Sequence, residues 1–470
     1  MLFRSTQLHE RYGIQAGLRD IQRDARPTVG IPFLNPSKRS FSPRFGFAWD
    51  VLGDGRTAVR GGFALLYDLG NVNAATIQGI CSPPHCSLGA LGGPPATAAY
   101  RSLPLAIPPG VLGRTVMGLD YHLQQPHILH YNLAVERQLP GEMAVTLAYA
   151  GSRGINLIQV TDGNPTVPQI LPDGRKFWTG TDPRINPNWN DYQMYTAGAS
   201  SWYNSMQFSV LKRLTRGVQF QSSYTWSKVL DEPQDQFSGL GTPSDPSNIR
   251  LDRGPAEYDV RHNLRFNAIY RLPELVSSGG VAGSLLNGWA MSGILSLNTG
   301  LPLNPQLAAN RSRSNVLSGG TVVDRPDLVP GGKIADTMQG VSRGCGTGPG
   351  SIPAGTPVGT PERWYDPCAF TLPLPGYLGN AGRNILRVPG VANLDFSLLK
   401  DFPLRFLGES GKLEFRAEFF NILNRANFYA PSNAVFGGRA PTENPQATAG
   451  RITETRTTSR QIQFALKILF

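Results

Sequence analysis

The chain has 470 residues, including 53 glycines and 39 prolines, and only 16% of its residues are charged, with a formal net charge of +11. This composition excludes charge-rich disorder and an ordinary helical domain, and it is typical of many short strands joined by turns and long loops. A helical membrane protein is also excluded, because no stretch approaches the roughly 18 uninterrupted apolar residues that a spanning helix needs.

Segments of about ten residues alternate between apolar and polar residues, and they recur about eleven times along the chain. The first two, at 45–51 and 59–67, are separated by a glycine-containing turn at 53–55, which predicts a hairpin. Further hairpins are predicted over 129–149 and 206–227, where the same alternation resumes after a short turn.

The alternation continues to the C-terminus, in segments at 264–270, 289–297, 394–398, 413–419 and 462–470. In the last segment every second residue from Ile462 to Phe470 is apolar. One face of each strand is therefore apolar and the other polar. The sequence predicts an all-β, antiparallel, up-and-down transmembrane β-barrel segment of about 11–12 strands.

The connections between these segments alternate in length. Short ones are expected at 52–56, 139–142, 214–217, 272–287 and 401–411, and long ones at 68–127, 152–203, 229–258, 300–390 and 424–458. Short periplasmic turns and long extracellular loops alternate in this way in outer-membrane barrels, whereas a soluble sandwich rarely has long structureless connections. We therefore expect the chain to lie in the bacterial cell outer membrane, in contact with its lipid.

Aromatic residues give an independent check on this topology, because they favour both water interfaces of a membrane. At the long-loop ends of their strands lie Tyr67, Tyr131, Tyr149, Tyr224 and Trp226, and at the short-turn ends lie Trp49, Tyr270, Trp289 and Phe470. The alternative explanation is that aromatic residues simply favour strands. The two sets predict two aromatic belts.

Several segments resemble the barrel of TonB-dependent transporters, in particular the Oar-like group. They are Phe41-Ser-Pro-Arg-Phe-Gly-Phe-Ala-Trp-Asp50, Leu147-Ala-Tyr-Ala-Gly-Ser-Arg-Gly154, Ser223-Tyr-Thr-Trp-Ser-Lys228, Gly288-Trp-Ala-Met-Ser-Gly-Ile-Leu295, Gly379-Asn-Ala-Gly-Arg-Asn384, Phe415-Arg-Ala-Glu-Phe-Phe-Asn-Ile-Leu-Asn424 and Arg460-Gln-Ile-Gln-Phe-Ala-Leu-Lys-Ile-Leu-Phe470. The terminal Phe470 also resembles the C-terminal signal that the barrel-assembly machinery recognises.

The resemblance implies a 22-stranded barrel around an N-terminal plug that contacts TonB, with active uptake of a solute. About half of those strands are found, so residues 41–470 are expected to be the C-terminal half of the barrel. Residues 1–40 are expected to hold a residual strand or loop of the upstream barrel. Because neither a plug nor a signal peptide is recognisable, we expect a fragment that does not transport by itself and that reaches TonB only through the missing plug.

Candidate residues for the lumen are the polar members of the alternating strands. They are Arg60, Glu136, Gln207, Gln219, Gln221, Arg265, Asp395, Glu414, Arg416 and Glu418. They either contact the solute or form polar lining that packs against a plug or water. Glu414, Arg416 and Glu418 lie two residues apart, so they share one face of one strand, and a self-neutralising charge ladder is expected there.

All four cysteines fall in predicted long loops, with Cys81 and Cys86 in one and Cys345 and Cys368 in another. Export favours a disulfide within each loop, and paired zinc ligation is the alternative. The clustered His122, His127 and His130 straddle a loop and a strand start, an arrangement that gives little support for a metal site.

No nucleophile elbow, phosphate-binding loop, zinc-protease or dinucleotide motif occurs in a suitable context. We therefore expect no catalytic residue, no cofactor and no enzymatic activity, and the scattered basic residues give no reason to expect nucleic acid as a partner. Two alternatives to an active transporter stay open. One is a passive porin or a surface adhesion or structural barrel, and the other is a secreted all-β binding protein. The solute cannot be named from the sequence.

Overall fold

The computed structural model of the chain describes residues 2–3, 16–30, 33–34, 40–68, 116–232, 242–277, 280–317, 324–332, 334–404, 406, 408 and 411–470. Eleven strands form one antiparallel sheet in which neighbours in sequence are neighbours in space. They are β1 Arg44–Asp50, β2 Thr57–Tyr67, β3 His127–Leu139, β4 Met143–Asp162, β5 Tyr192–Thr215, β6 Val218–Asp231, β7 His262–Arg271, β8 Trp289–Asn298, β9 Val391–Pro403, β10 Lys412–Phe420 and β11 Gln461–Leu469. This up-and-down order confirms the predicted fold class.

The strand register places the predicted apolar residues on one face of the whole sheet. At one edge Phe45 lies opposite Phe63, which in turn lies opposite Tyr131. At the other edge Phe419 lies opposite Ile462. Large apolar side chains on this face are exposed, as a surface that contacts lipid requires.

The short turns follow from residues that tolerate positive φ. At Gly141-Glu142 and at Arg216-Gly217 both turn residues have positive φ, between 53° and 80°. Such turns match the right-handed twist of the strands that they join. A side chain at Gly217 would begin 2.3 Å from the carbonyl oxygen of Arg271, so glycine is required there by space as well as by backbone angle.

The turn between β7 and β8 contains α1, a six-residue helix at Val281–Leu286. Asn287 closes this turn, because its side chain accepts hydrogen bonds from the N–H groups of Leu275 and Val276. Among the described residues, no helix is long and apolar enough to cross a membrane.

Two strands run far beyond the predicted length. The expected loop at 152–203 is wrong at both ends, because β4 continues to Asp162 and β5 already begins at Tyr192. Strict alternation stops in these extensions because both of their faces are covered by loops, where Ile158 and Tyr195 are buried. A short strand, Val116–Leu119, adds to the start of β5 in parallel.

The described parts of the long loops pack together into a cap at one end of the sheet. Its short strands are Gln169–Ile170, Lys176–Phe177, Gly254–Pro255, Pro302–Leu303, Gln306–Leu307, Asp327–Leu328, Phe370–Thr371, Leu386–Arg387 and Ala434–Phe436, and its 3-10 helices are Ile249–Asp252, Ile334–Thr337 and Pro367–Ala369. One apolar core of the cap contains Leu307, Tyr365, Phe370, Leu386 and Val435. As far as the structure describes them, the long loops are therefore a folded layer and not structureless connections.

The described part of residues 1–40 contributes no strand to the eleven-stranded sheet. Leu2–Phe3 pairs with Ser40–Phe41, and Ala16–Gly17 pairs with Thr28–Val29. The second of these hairpins lies under the cap, where the indole Nε1 of Trp189 donates to the carbonyl oxygen of Asp24 at 2.8 Å. In the described residues, this segment thus contacts the cap, and its expected origin as a strand or loop of the upstream barrel stays a prediction.

Candidate functional site

The candidate functional site consists of the polar face of the sheet and the cap above it. Each predicted lumen residue lies on a strand of the sheet, on the face opposite the apolar one. Arg60 of β2 and Glu136 of β3 form an ion pair at 3.2 Å, and both side chains are partly exposed. Such a pair contributes about 0–1 kcal/mol to stability. This ion pair therefore lies on a solvent-exposed part of the polar face.

The last strands carry a ladder of linked charges. Arg416 lies 2.7 Å from Glu414 and 3.6 Å from Glu418, and Lys412 lies 2.7 Å from Asp401. Asp395 on β9 belongs to a separate network, since it accepts hydrogen bonds from the side chain of Asn393 and the backbone of Asn421. The carboxylates of the ladder therefore have cationic partners within the wall itself.

The predicted lumen residues do not converge on one point. β2, which carries Arg60, and β10, which carries Arg416, are eight strands apart in the sheet. At about 4.8 Å per strand this separation is about 38 Å along the sheet. Gln219, Gln221 and Arg265 lie between them on β6 and β7. The structure thus distributes the predicted residues over a wide polar wall.

A cleft of about 660 Å³ opens on this wall between β4, β5, β6 and the start of β7. Hydroxyl and amide side chains dominate its lining. They include Thr146, Ser152, Ser201, Tyr203, Gln207, Ser209, Ser223, Thr225, Ser227, Tyr258 and Asn263. Apart from Gln207, these residues are not among the predicted lumen residues, although the alternation places several of them, such as Thr146, Ser209 and Thr225, on the polar face. The cleft offers uncharged hydrogen-bonding groups to a solute.

Three buried Arg–Asp pairs join two loops of the cap. Arg383 contacts Asp231, Arg387 contacts Asp259, and Arg325 contacts Asp252. We call these three pairs the latches. In each of them the aspartate side chain is almost fully buried and the arginine side chain largely so.

The latches could not be found from the sequence, because the residues of Arg383–Asp231 are 152 positions apart. Arg383 lies within the segment Gly379–Asn384, which resembles the transporter barrels, but nothing in that segment identifies its partner. Isolated charges in long loops carry no periodic signal. Since removing one member of a buried pair is costly, the latches hold the loops of 231–259 and 325–387 together.

A further arginine connects two long loops through carbonyl oxygens. The buried Arg311 donates to Pro373 at 2.5 Å, to Ala440 at 2.7 Å and to Pro441 at 3.2 Å. Nearby, burial raises the pKa of the Asp324 carboxyl above its usual range, although hydrogen bonds from Ser312 oppose the shift. Buried polar side chains such as Arg311 therefore connect the loops of the cap by hydrogen bonds.

The cysteines of one long loop are joined in the structure. A disulfide links Cys345 and Cys368, whose Cα atoms are 5.4 Å apart. Cys81 and Cys86 lie outside the described residues, so their pairing stays a prediction.

The predicted histidine cluster is spread out by the strand. His130 lies within β3, opposite Ser152, whereas the ring of His127 lies 5.4 Å from that of Tyr67. The ring of His122 packs edge-on against Tyr121. Within the part of the chain that the structure describes, no group of three or more His, Cys, Asp or Glu residues could hold a metal ion.

Comparison with known proteins identifies the family to which this architecture belongs. A family model described as "Outer membrane beta barrel domain" matches residues 13–463. None of the curated proteins matches the chain.

Solved structures with a similar arrangement include the outer membrane transporter YddB from Escherichia coli, with a TM-score of 0.46 and 9% identity, covering 92% of this chain and 40% of that one. The siderophore receptor PirA from Acinetobacter baumannii has a TM-score of 0.42 and 11% identity, with coverages of 91% and 41%. A ferric enterobactin receptor (PfeA) mutant from Pseudomonas aeruginosa has a TM-score of 0.40 and 10% identity, with coverages of 91% and 40%. The chain thus spans about two fifths of the length of each.

Proposed function

Because the chain belongs to the outer membrane β-barrel domain family, we propose that it forms barrel strands of a TonB-dependent transporter for a solute still to be identified. The family match supports a location in the bacterial outer membrane. The observation that carries the proposal is the latched cap over a continuous polar wall. A passive pore requires an open path, whereas a receptor requires an ordered extracellular surface that can capture its solute.

The cleft below the cap is the proposed contact surface for the solute. Its walls carry hydroxyl groups such as Ser209 and Thr225 and the amides of Gln207 and Asn263. These groups favour uncharged polar parts of a solute, since none of them brings a charge. The ladder around Arg416 is proposed to be polar lining, because its charges already pair with one another.

In this proposal, energy coupling and assembly into the membrane require partner proteins. TonB would act through an N-terminal plug, and the barrel-assembly machinery would recognise Phe470, whose side chain is exposed. No catalytic role is assigned to any residue, because capture and passage of a solute make and break no covalent bond.

The proposal is tested by uptake in cells that express the chain with an added signal sequence, alone and with its upstream reading frame. A panel of labelled ferric catecholate, ferric hydroxamate, cobalamin and oligosaccharide is offered with and without TonB and with a protonophore. Uptake of at least one solute that requires both TonB and the proton gradient supports a transporter barrel. Uptake that persists without TonB would contradict the proposal and favour a passive porin.

A further inference from the structure

The apolar face of β4, β5 and β6 changes character in three successive rows towards the long-loop end. Cross-strand pairing defines the rows as Tyr149, Met206 and Trp226, then Gly151, Asn204 and Lys228, then Arg153, Trp202 and Leu230. Rows on one face of a sheet lie about 7 Å apart. The surface thus passes from apolar to cationic over about 14 Å, at the level of the predicted aromatic belt.

At the row nearest the cap, two arginines stack on one indole ring: Arg153 belongs to the row, and Arg253 lies in a loop of the cap. The guanidinium carbon of Arg153 lies 3.9 Å from the ring centroid of Trp202, and that of Arg253 lies 4.0 Å from it. Two guanidinium groups cannot share one face of the ring at these distances, so they occupy opposite faces. Stacking fixes both cations in place with much of their hydrogen-bonding capacity unused.

One of these cations has an unmet donor. Nη1 of Arg153 is buried and has no hydrogen-bond partner among the residues that the structure describes. The carboxylate of Glu232 interacts with Arg153 electrostatically and offsets part of its charge. Arg253 and Lys228 are exposed on the same surface, so the cluster keeps a net positive charge. A buried guanidinium N–H without an acceptor favours the arrival of an anion.

A groove of about 410 Å³ reaches this cluster at Lys228. Tyr149, Met206 and Trp226 line its apolar part, and Lys228 and Arg261 line its charged part. The floor is made rigid by Asn204, whose side-chain oxygen accepts a hydrogen bond from the hydroxyl of Tyr149 at 2.5 Å. The groove therefore joins an apolar slot to a cationic rim.

We propose that this groove binds a phosphate-bearing lipid of the outer leaflet, with its phosphate at Arg153, Lys228 and Arg253 and an acyl chain along Met206 and Trp226. The inference rests on the membrane location and not on transport. Arginine and lysine are the side chains that recognise phosphate, and cations at a membrane interface attract anionic headgroups. The apolar rows continue into the lipid-facing wall, so a lipid satisfies both halves of the groove, which a free anion does not.

The test measures lipid binding to the full chain folded in detergent, by native mass spectrometry and by titration. The probes are a diphosphorylated glucosamine-disaccharide lipid, the same lipid without phosphates, and inorganic phosphate. The wild-type chain is expected to bind the phosphorylated lipid at least tenfold more tightly than the dephosphorylated one. Inorganic phosphate is expected not to displace it at equal concentration.

The variant is Lys228→Gln/Arg253→Gln, in which both replaced side chains are exposed, so folding is preserved. At about fivefold for each cation, its affinity should fall by about twenty-five-fold. The matched control is Arg439→Gln/Arg456→Gln, which removes the same charge from exposed positions elsewhere on the loop side. Heat-modifiable migration checks folding of both. Equal affinity of wild type and variant, an equal loss in the control, or full displacement by inorganic phosphate would each overturn the proposal.

Discussion

Removing the arginine of one latch should loosen the cap without unfolding the sheet. Arg387 contacts the carboxylate of Asp259 and donates to the carbonyl oxygens of Asp259 at 3.0 Å and Gly300 at 2.9 Å. In Arg387→Met, the carboxylate of Asp259 would stay buried with the N–H of Val229 as its main donor. Breaking a buried pair in this way costs about 3–5 kcal/mol.

The reverse change, Asp259→Asn, should cost less, because Arg387 keeps both carbonyl acceptors and its side chain is 21% exposed. The double variant should cost less than the sum of the two single changes, since it leaves no buried carboxylate unpaired. This asymmetry distinguishes a latch from an incidental surface contact.

Hydrogen exchange of the cap, measured by mass spectrometry on the folded protein in detergent, reads this cost directly. A loss of about 3 kcal/mol accelerates exchange by on the order of a hundredfold in peptides around Arg387 and Asp259. The control Arg439→Met replaces an exposed arginine of the cap and should leave the rates unchanged. Removing an exposed pair would accelerate exchange by less than about fivefold. An acceleration that small in Arg387→Met would refute the reasoning.

Three further outcomes are expected. Burial raises the pKa of Asp324, so this carboxyl stabilises its loop fully below the pKa of 3.8 that it has in the unfolded chain. Protection of the loop from hydrogen exchange should fall as the pH rises through the raised pKa of the folded state. Asp324→Asn should remove this dependence in exchange rates corrected for pH. Replacing Cys345 and Cys368 with serine should destabilise their loop by about 2–4 kcal/mol, seen as faster proteolysis there, whereas four free thiols in a non-reduced digest would contradict the predicted pairing. Gly300→Ala should lower the folded yield in detergent, because its Cβ would lie 1.6 Å from the carbonyl oxygen of Val388, and an unchanged yield would show that the two segments can separate freely.

The sheet could be predicted from the sequence because its surroundings are uniform. Every strand meets lipid on one face and polar surroundings on the other, so the side-chain period of two appears directly in segments such as 206–227 and 462–470. The pairing of the strands could be predicted as well, because a strand that ends in a short turn such as Gly141-Glu142 can pair there only with the next strand.

The cap could not be predicted, because its residues are buried by contacts that are distant in sequence. Ile158 and Tyr195 belong to extensions of β4 and β5 that lose their alternation once loops cover both faces. Arg383 and Asp231 are 152 positions apart, and nothing local relates them. The cleft on the polar face could be predicted in part. The alternation gives the face on which Ser209 and Thr225 lie, but it does not show that Tyr258 approaches from a loop.

The two-faced membrane sheet is tested most directly by paired arginine substitutions at adjacent positions of β7. Phe266 lies opposite Ser222 and Leu295 on the apolar face, with its ring 6.0 Å from that of Phe220, whereas Asn267 is exposed on the polar face. Folding into lipid bilayers is followed by heat-modifiable migration along a urea titration. Phe266→Arg should cost about 2–4 kcal/mol and Asn267→Arg little, because a lipid-facing arginine near the membrane centre is expensive and a wetted wall tolerates charge. Equal costs for the two substitutions, or a soluble monodisperse chain in plain buffer, would contradict the account.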